Sequence, residues 1–325
     1  MARTLGFHGQ VVVSRSIVHG PTDAFRWAKA LSAGPYLEFA VRGRNAWWRY
    51  PAALLLAIAL SVVLGGAIGA TLSAFEVPIS ALAAELTTPT HPPVFMLAMA
   101  FNFAVILAGF FLAAWLVQRK SPADLIGQWS WRWLAIGAVL WLGMALVMTA
   151  ADVTVAPSGF RWSATPQTSI LAGSAVFALA VQTFTEEVLF RGYLTQAMLL
   201  MTRRAVRAAI VAGLIFGAVH IPNGLPQAVS AAGFGIAASL IAIRLKGVAF
   251  TFGLHLVNNL YGAVVVVASN DLFRGFPGLI SQSTPGLVWF DVATNLLALA
   301  VVCAIVLHFS PPSLDAGDGP NVAAA

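Results

Sequence analysis

Long uninterrupted apolar windows are the feature that most constrains this chain. They recur along its length, and each reaches about 18 residues or more, enough to cross a hydrocarbon core of ~30 Å as a helix. Hydrophobic residues make up 59% of the chain and charged residues only 9%. A soluble domain carries about 25% charged residues, so the composition excludes a soluble domain. Outer-membrane strands would alternate over runs of roughly ten residues, so the windows predict an all-α, polytopic membrane helical bundle.

About eight transmembrane helices are predicted from the apolar runs between charged or Pro/Gly breaks. Only short turns, at 221–225 and 244–247, separate the fifth, sixth and seventh spans, which must therefore pack as tight hairpins. Glycines in this region are predicted to permit close helix contacts, namely Gly213, Gly217, Gly233, Gly235 and Gly253. The predicted spans are 51–73, 94–118, 132–151, 168–200, 205–221, 226–243, 247–267 and 286–308.

The placement of Lys and Arg predicts the orientation. Of the 18 basic residues, fifteen fall in the N-terminal segment and in alternate loops. Basic residues collect in cytoplasmic loops, so both termini are predicted to be cytoplasmic, with the protein in the inner (cytoplasmic) membrane. This sorting and contact with the anionic lipids of the bilayer account for the net charge of +6, so no nucleic-acid partner is expected.

Three regions are predicted along the chain. Residues 1–48 form a cytoplasmic N-terminal extension, in which 21–37 could form an amphipathic surface helix, and no chemistry is assigned to them. Residues 49–310 form the eight-helix membrane domain. Residues 311–325 are predicted to be a disordered tail.

Polar residues interrupt three of the apolar spans. Ionisable groups inside a membrane cost roughly 2.5–3.5 kcal/mol each on insertion scales, so their presence indicates function. They concentrate in the fourth, fifth and seventh predicted spans. The set comprises Thr183, Thr185, Glu186, Glu187, Arg191, Phe216, His220, Asn223, His255, Asn258 and Asn259.

Helical spacing sorts these residues into pairs. Glu187 and Arg191 are four residues apart, share a face and can form an ion pair that neutralises both charges. Glu186 is rotated by about 100° and lacks that partner. Glu187 is therefore predicted to be structural, and Glu186 to be available for chemistry. His255 and Asn259 have the same spacing and can present an imidazole and an amide side by side.

Phe216 and His220 repeat this spacing, so the phenyl ring is expected to wall one side of the imidazole. His220 and Glu186 lie 16 and 17 residues from the basic turn at 203–204. At 1.5 Å per residue both are ~25 Å from it, and they are predicted to be level. His255 is only ~14 Å from its own basic turn, so the hairpin carrying 203–204 must protrude further if all three groups meet.

This set of residues suits amide hydrolysis without a covalent intermediate. A carboxylate beside an imidazole can hold a water and take its proton, a role that suits Glu186 and His220. N–H groups of His255 and Asn259 could stabilise the oxyanion formed when that water attacks a carbonyl. In a second version a metal ion ligated by Glu186, His220 and His255 carries the water. Both versions stay open, so the expected cofactor is either Zn²⁺ or none.

Three ordered motifs on separate spans carry a family resemblance. They resemble the EExxxR, FxxxH and HxxxN motifs of the CPBP family, the CAAX proteases and bacteriocin-processing enzymes related to the type II CAAX prenyl endopeptidases (Abi family, Ras-converting CAAX protease-like). The resemblance covers residues 168–262. The motifs are Glu186-Glu187-Val188-Leu189-Phe190-Arg191, Phe216-Gly217-Ala218-Val219-His220 and His255-Leu256-Val257-Asn258-Asn259.

The resemblance implies an eight-helix intramembrane endopeptidase whose cavity opens toward the cytoplasm. It implies that Glu186 activates a water with His220, and that His255 and Asn259 form the oxyanion hole. Three further residues would hold the shape of the site, namely Glu187, Arg191 and Phe216. The family is commonly labelled a metalloprotease but is also described as glutamate-dependent without metal, so the cofactor stays open. The implied substrate is a membrane-associated or lipidated peptide or protein.

Two other functions compete with hydrolysis. A proton-coupled transporter could use Glu186, His220 and His255 as a relay, and would be expected to show pseudo-symmetric halves with paired broken helices. The polar groups lie in the C-terminal half only, which favours the protease. A non-catalytic membrane scaffold is the third hypothesis, and it would survive replacement of Glu186 by Gln.

Overall fold

The computed structural model describes residues 34–269, 272–284 and 287–309. The predicted helical membrane bundle is confirmed, with a small sheet in addition. Its α-helices are α1 (Gly34–Val41), α2 (Arg49–Ala74), α3 (Ile79–Thr87), α4 (Pro92–Gln118), α5 (Pro122–Ile126), α6 (Trp131–Val155), α7 (Pro166–Glu186), α8 (Thr195–Thr202), α9 (Ala205–Ala218), α10 (Leu225–Leu245), α11 (Ala249–Leu260) and α12 (Val288–Phe309).

Six helices in the described residues are long and apolar enough to cross a membrane. They are α2, α4, α6, the continuous helix 166–202, α10 and α12. The chain is therefore an integral membrane protein. The other two predicted spans are shorter. α9 has 14 residues, about 21 Å at 1.5 Å per residue, because a turn follows Ala218. α11 has 12 residues and continues as a π-helix, Tyr261–Val265.

Three basic turns lie at the ends of long helices, each in the left-handed conformation that closes a helix. The backbone N–H of Gln128 donates to the Lys246 carbonyl at 2.8 Å. Gln196 Nε2 donates to the Asp124 carbonyl, also at 2.8 Å. These bonds bring the segments that follow α4, α8 and α10 to one end of the bundle, called here the basic end. The left-handed residues are Arg119, Arg203 and Lys246.

Glycines let the helices approach one another closely. The predicted role of the five glycines is confirmed, because a Cβ added at any of them would lie closer than 3.0 Å to an atom of a neighbouring helix. Gly253 of α11 and Gly137 of α6 form a reciprocal contact. An added Cβ at Gly253 would overlap the Leu134 carbonyl oxygen, and one at Gly137 would overlap that of Phe250. α11 therefore lies backbone to backbone against α6.

The structure also contains a three-stranded sheet that was not predicted, and its strand β2 directly follows the π-helix Tyr261–Val265. It consists of β1 (Phe160–Trp162), β2 (Val266–Ala268) and β3 (Ile280–Gln282), in the order β1-β3-β2. β3 pairs antiparallel with β1 and parallel with β2. Strands of three residues are too short to produce a pattern that sequence analysis can distinguish from a loop.

α1 belongs to the predicted N-terminal extension and packs at the basic end. Tyr36 is completely buried there, in a cluster with Leu199, Ala205, Ala208 and Ile243. The predicted surface helix at 21–37 overlaps α1 only over its last four residues. Residues 1–33 and the predicted tail lie outside the described residues.

Lys120 holds the C-terminal end of α1. Its Nζ donates to the carbonyl of Ala40 at 2.8 Å. Only 1% of Lys120 is exposed, and this burial lowers the pKa of its ammonium group to about 8. A cation thus compensates the free carbonyls at the C-terminus of α1.

The α6–α11 contact predicts that Gly253→Ala destabilises the protein. The new methyl group would have to displace the α6 backbone, and overpacking of this kind costs about 1–3 kcal/mol. The matched control is Gly173→Ala, at a helical glycine of α7 with nothing within 4 Å of the added Cβ. Thermal unfolding in detergent should show a lower melting temperature for Gly253→Ala only. Equal behaviour of the two variants would contradict the close contact.

Lys120 predicts a pH dependence of stability. Its pKa falls from the ordinary 10.5 to about 8 on folding, so the folded protein binds fewer protons than the unfolded chain between these values. The contribution of Lys120 to the free energy of unfolding therefore rises with pH across that window, by about 3 kcal/mol. Lys120→Met should lose this rise, as measured by chemical unfolding at several pH values. Parallel curves for wild type and variant would contradict the burial of the charge.

Candidate active site

The fourth predicted span changes its helical geometry at the two glutamates. α7 ends at Glu186, and the chain continues without a break as a π-helix, Glu187–Leu194, before α8 begins. Thr195 Oγ1 donates to the Phe190 carbonyl at 2.8 Å, inside this segment. Insertions of π-helix into α-helices are rare and occur frequently at functional sites. Sequence analysis missed this one, because no residue type marks it.

Glu187 and Arg191 form the predicted ion pair. Arg191 Nη1 lies 3.2 Å from Glu187 Oε1, and both side chains are completely buried. The guanidinium also lies between two aromatic rings, with its Cζ 4.3 Å from the ring centre of Phe216 and 4.8 Å from that of Phe234. Its nitrogens have no hydrogen-bond partner among the described residues, so ion pairing and cation–π contacts compensate its charge.

His255 lies between the two adjacent glutamates. Its Nδ1 is 2.8 Å from Glu187 Oε1, and its Nε2 is 3.7 Å from Glu186 Oε2. The ring packs on Phe234, with the ring centres 4.6 Å apart. The Nδ1–H donates to Glu187, so Nε2 carries a lone pair in the neutral ring and an N–H in the charged ring.

Glu186 is the less committed of the two carboxylates. Gln182 Nε2 donates to its Oε1 at 2.5 Å. Its Oε2 is buried and has no hydrogen-bond partner among the described residues, although His255 Nε2 is close by. A buried carboxylate oxygen without a partner is costly, which is expected where the oxygen serves chemistry instead of stability.

A chain of amide groups connects α6 to Glu186. Trp141 Nε1 donates to Asn258 Oδ1 at 3.1 Å, and Asn258 Nδ2 donates to Asn259 Oδ1 at 3.1 Å. Asn259 Nδ2 donates to Gln182 Oε1 at 3.0 Å and to Thr183 Oγ1 at 3.3 Å. α7 therefore accepts both amide protons of Asn259. Because Gln182 also bonds to Glu186, the position of Asn259 affects that of Glu186.

His220 contacts Phe216 as predicted, with the ring centres 4.6 Å apart. Its Nδ1–H donates to the Phe216 carbonyl at 2.7 Å, which satisfies an end carbonyl of α9. Within the described residues, His220 makes no ion pair with Glu186, and the imidazole beside that carboxylate is the one of His255. The Phe216 ring packs near both histidines, since its centre also lies 6.1 Å from that of His255.

The predicted metal version was tested against this geometry. Its ligands would be Glu186, His220 and His255. The described residues contain no group of three or more His, Cys, Asp or Glu side chains placed to hold a metal ion. Nε2 of each histidine stays available, because the bonds to Glu187 and to the backbone carbonyl use Nδ1, but among the described residues only His255 of the two lies within ion-pair distance of Glu186. The arrangement therefore does not fit a three-ligand metal site.

The comparisons agree with the motifs. Residues 166–261 match the family model described as type II CAAX prenyl endopeptidase Rce1-like. This segment is therefore similar to the Rce1-like endopeptidases. It is also 22% identical over 275 residues to the uncharacterized protein YyaK of Bacillus subtilis (strain 168), which covers 79% of this chain and 91% of YyaK. No solved structure matches the chain significantly.

The Rce1-like segment contains the predicted site residues and two more that sequence analysis missed. Gln182 lies four residues before Glu186, on the same face of α7, and this spacing could have found it. Phe234 lies on α10, where one phenylalanine among many apolar residues gives no signal. Tyr36 and Trp141 also contact the site, through backbone and amide groups, and both lie outside the Rce1-like segment.

The buried ion pair predicts a large effect of Arg191→Met. This variant leaves the Glu187 carboxylate buried without its cation, and breaking a buried pair in this way costs about 3–5 kcal/mol. The double variant Glu187→Gln with Arg191→Met removes both charges and should recover part of that loss. Thermal unfolding of the purified proteins measures the difference. If the double variant is less stable than the single one, the two charges do not compensate each other.

Proposed function

We propose that this Rce1-like protein is an intramembrane endopeptidase that hydrolyses a peptide bond with a water activated by Glu186. The observation that carries the proposal is the buried Oε2 of Glu186, which has no hydrogen-bond partner in the part of the chain that the structure describes and faces His255 Nε2 at 3.7 Å. A water beside this pair could hydrogen-bond to both atoms. The match of residues 166–261 to an endopeptidase family supports the reaction class.

The reaction needs one carboxylate in two roles. Glu186 takes a proton from the water while the water oxygen forms a bond to the carbonyl carbon of the substrate. When the tetrahedral intermediate collapses, the C–N bond breaks and Glu186 gives that proton to the leaving nitrogen. No step requires a metal, in keeping with the donor geometry of the described residues.

His255 is the proposed donor to the oxyanion. Because Glu187 holds Nδ1, Nε2 is the ring nitrogen on the Glu186 side of the site, and an N–H there would donate to the oxyanion that forms on the substrate carbonyl. Asn259 was predicted to share this role. Its amide protons bond to Gln182 and Thr183, so its proposed function is to fix Gln182 and thereby Glu186.

We propose that His220, whose ring packs on Phe216, is a second imidazole that assists the water. Its Nδ1–H is committed to a backbone carbonyl, which leaves Nε2 as the ring nitrogen for chemistry. Because His220 makes no ion pair with Glu186 in the described residues, its removal should be less harmful than removal of Glu186 or His255.

A membrane-associated or lipidated peptide is the proposed substrate class. The site lies among apolar helices, and the helix 166–202 that carries it is long and apolar enough to span the bilayer. We further propose that the basic end faces the cytoplasm, with the protein in the inner membrane, because basic residues collect on that side.

Cleavage by site variants tests this function. Purified wild-type protein in detergent is given a fluorescence-quenched CAAX peptide, either farnesylated or unmodified, with and without chelator. Glu186→Gln should lower the cleavage rate by about 10²–10⁴-fold, since it removes the general base. His255→Ala should act similarly and His220→Ala more weakly. A preference for the farnesylated peptide would support lipidated substrates.

Glu76→Gln is the matched control, because Glu76 is exposed in the turn after α2. It should leave the rate unchanged. The scaffold hypothesis gains support if Glu186→Gln cleaves like wild type. Loss of activity with chelator would contradict the water mechanism without metal.

A further inference from the structure

Tyr36 connects the N-terminal segment to the candidate active site. Its hydroxyl donates to the backbone carbonyl of Arg191 at 2.7 Å, across 155 residues of sequence. The side chain is completely buried, and burial raises the pKa of the Tyr36 phenol above its usual range. The hydroxyl therefore keeps its proton and remains a donor at any pH at which the protein is used.

The accepting carbonyl belongs to Arg191, a residue that supports the candidate active site. Arg191 is in the π-helix, and its side chain forms the ion pair with Glu187. Glu187 in turn accepts from His255 Nδ1 at 2.8 Å, and His255 Nε2 faces Glu186. Three contacts therefore connect the Tyr36 hydroxyl to His255, which borders the proposed water site.

Contacts along α1 and just after it hold this helix against the basic end of the bundle. Tyr36 packs into the apolar cluster formed by α8, α9 and α10, and Lys120 holds the Ala40 carbonyl at the other end of the helix. Arg42, just after α1, pairs with Asp124 at 3.2 Å. The hydroxyl is thus held in place by three separate contacts of its own segment.

We propose that Tyr36 is a positioning residue for the hydrolytic centre, so that docking of α1 sets the geometry of Glu187 and His255. This inference rests on the proposed function. It gives a role in the site to a segment that lies outside the Rce1-like residues 166–261. In this proposal Tyr36 acts through the Arg191 backbone and takes no part in the chemical step.

Tyr36→Phe tests the proposal and keeps the buried ring. Loss of one hydrogen bond leaves the Arg191 carbonyl without its donor, and we expect kcat to fall about 5- to 10-fold. KM should stay within about twofold, because a positioning defect acts on the chemical step and not on uniform binding.

Tyr50→Phe is the matched control. Tyr50 is also buried, and its hydroxyl donates at 2.8 Å to Asn45 Oδ1 in the same N-terminal region. Tyr50 meets Tyr193 of the π-helix through its backbone carbonyl and its ring, and Tyr50→Phe keeps both of these contacts. It should lose a similar amount of stability and leave kcat within about twofold. An equal fall in kcat for both variants, or a change in KM alone, would overturn the proposal.

Hydrogen exchange gives a readout that does not depend on activity. Amides of the segment 187–196 should exchange faster in Tyr36→Phe than in wild type, and should be unchanged in Tyr50→Phe. If wild type cleaves peptide and exchange in this segment is the same in all three proteins, the positioning role is wrong while the proposed function stands. If wild type cleaves nothing and exchange rises only in Tyr36→Phe, the proposed function fails and the structural link is retained.

Discussion

The carboxylate of Glu187 is the group on which the rest of the site depends. A single oxygen, Oε1, lies 3.2 Å from the Arg191 guanidinium and 2.8 Å from the His255 ring. One buried anion thereby joins the π-helix to α11 and compensates a buried cation. Removing either charge alone would leave the other without a partner in a medium of low polarity, so neither can change independently. The orientation of His255, and hence of the atom that faces Glu186, follows from this shared contact.

Helix packing around this pair explains why two of the predicted spans are short. α11 must place His255 against the glutamates, and the reciprocal glycines of α6 and α11 permit that approach. α9 stops at Ala218, and Phe216 in its last turn lies against the Arg191 guanidinium. Phe234 of α10 covers the remaining side, contacting both Arg191 and His255. Long helices hold the protein in the bilayer, while the two short ones help to build the site.

The different environments of the adjacent carboxylates Glu186 and Glu187 were predictable from their spacing to Arg191. Residues four apart on a helix lie on one face, so Glu187 was expected to meet Arg191, and it does. Glu186 lacks that cation, as expected, but it accepts a hydrogen bond from Gln182. The partners across helices were less predictable. His255 was expected beside Asn259 as an oxyanion donor and His220 beside Glu186, yet the structure puts His255 next to Glu186 and gives the Asn259 amide to Gln182. Counting residues from a turn gives depth, but it gives neither rotation nor lateral position.

The sequence by itself determined that this chain is a helical membrane protein, because only helices satisfy the backbone within such long apolar windows. It also determined which polar residues must avoid lipid, since burying an ionisable group is costly wherever it lies. Only the tertiary structure decided which of these residues contact one another. Residues far apart in sequence meet in the aromatic contacts of Arg191, in the Trp141–Asn258–Asn259–Gln182 chain and in the hydrogen bond from Tyr36 to the Arg191 carbonyl. Such contacts depend on how helices rotate and approach, which local periodicity does not encode.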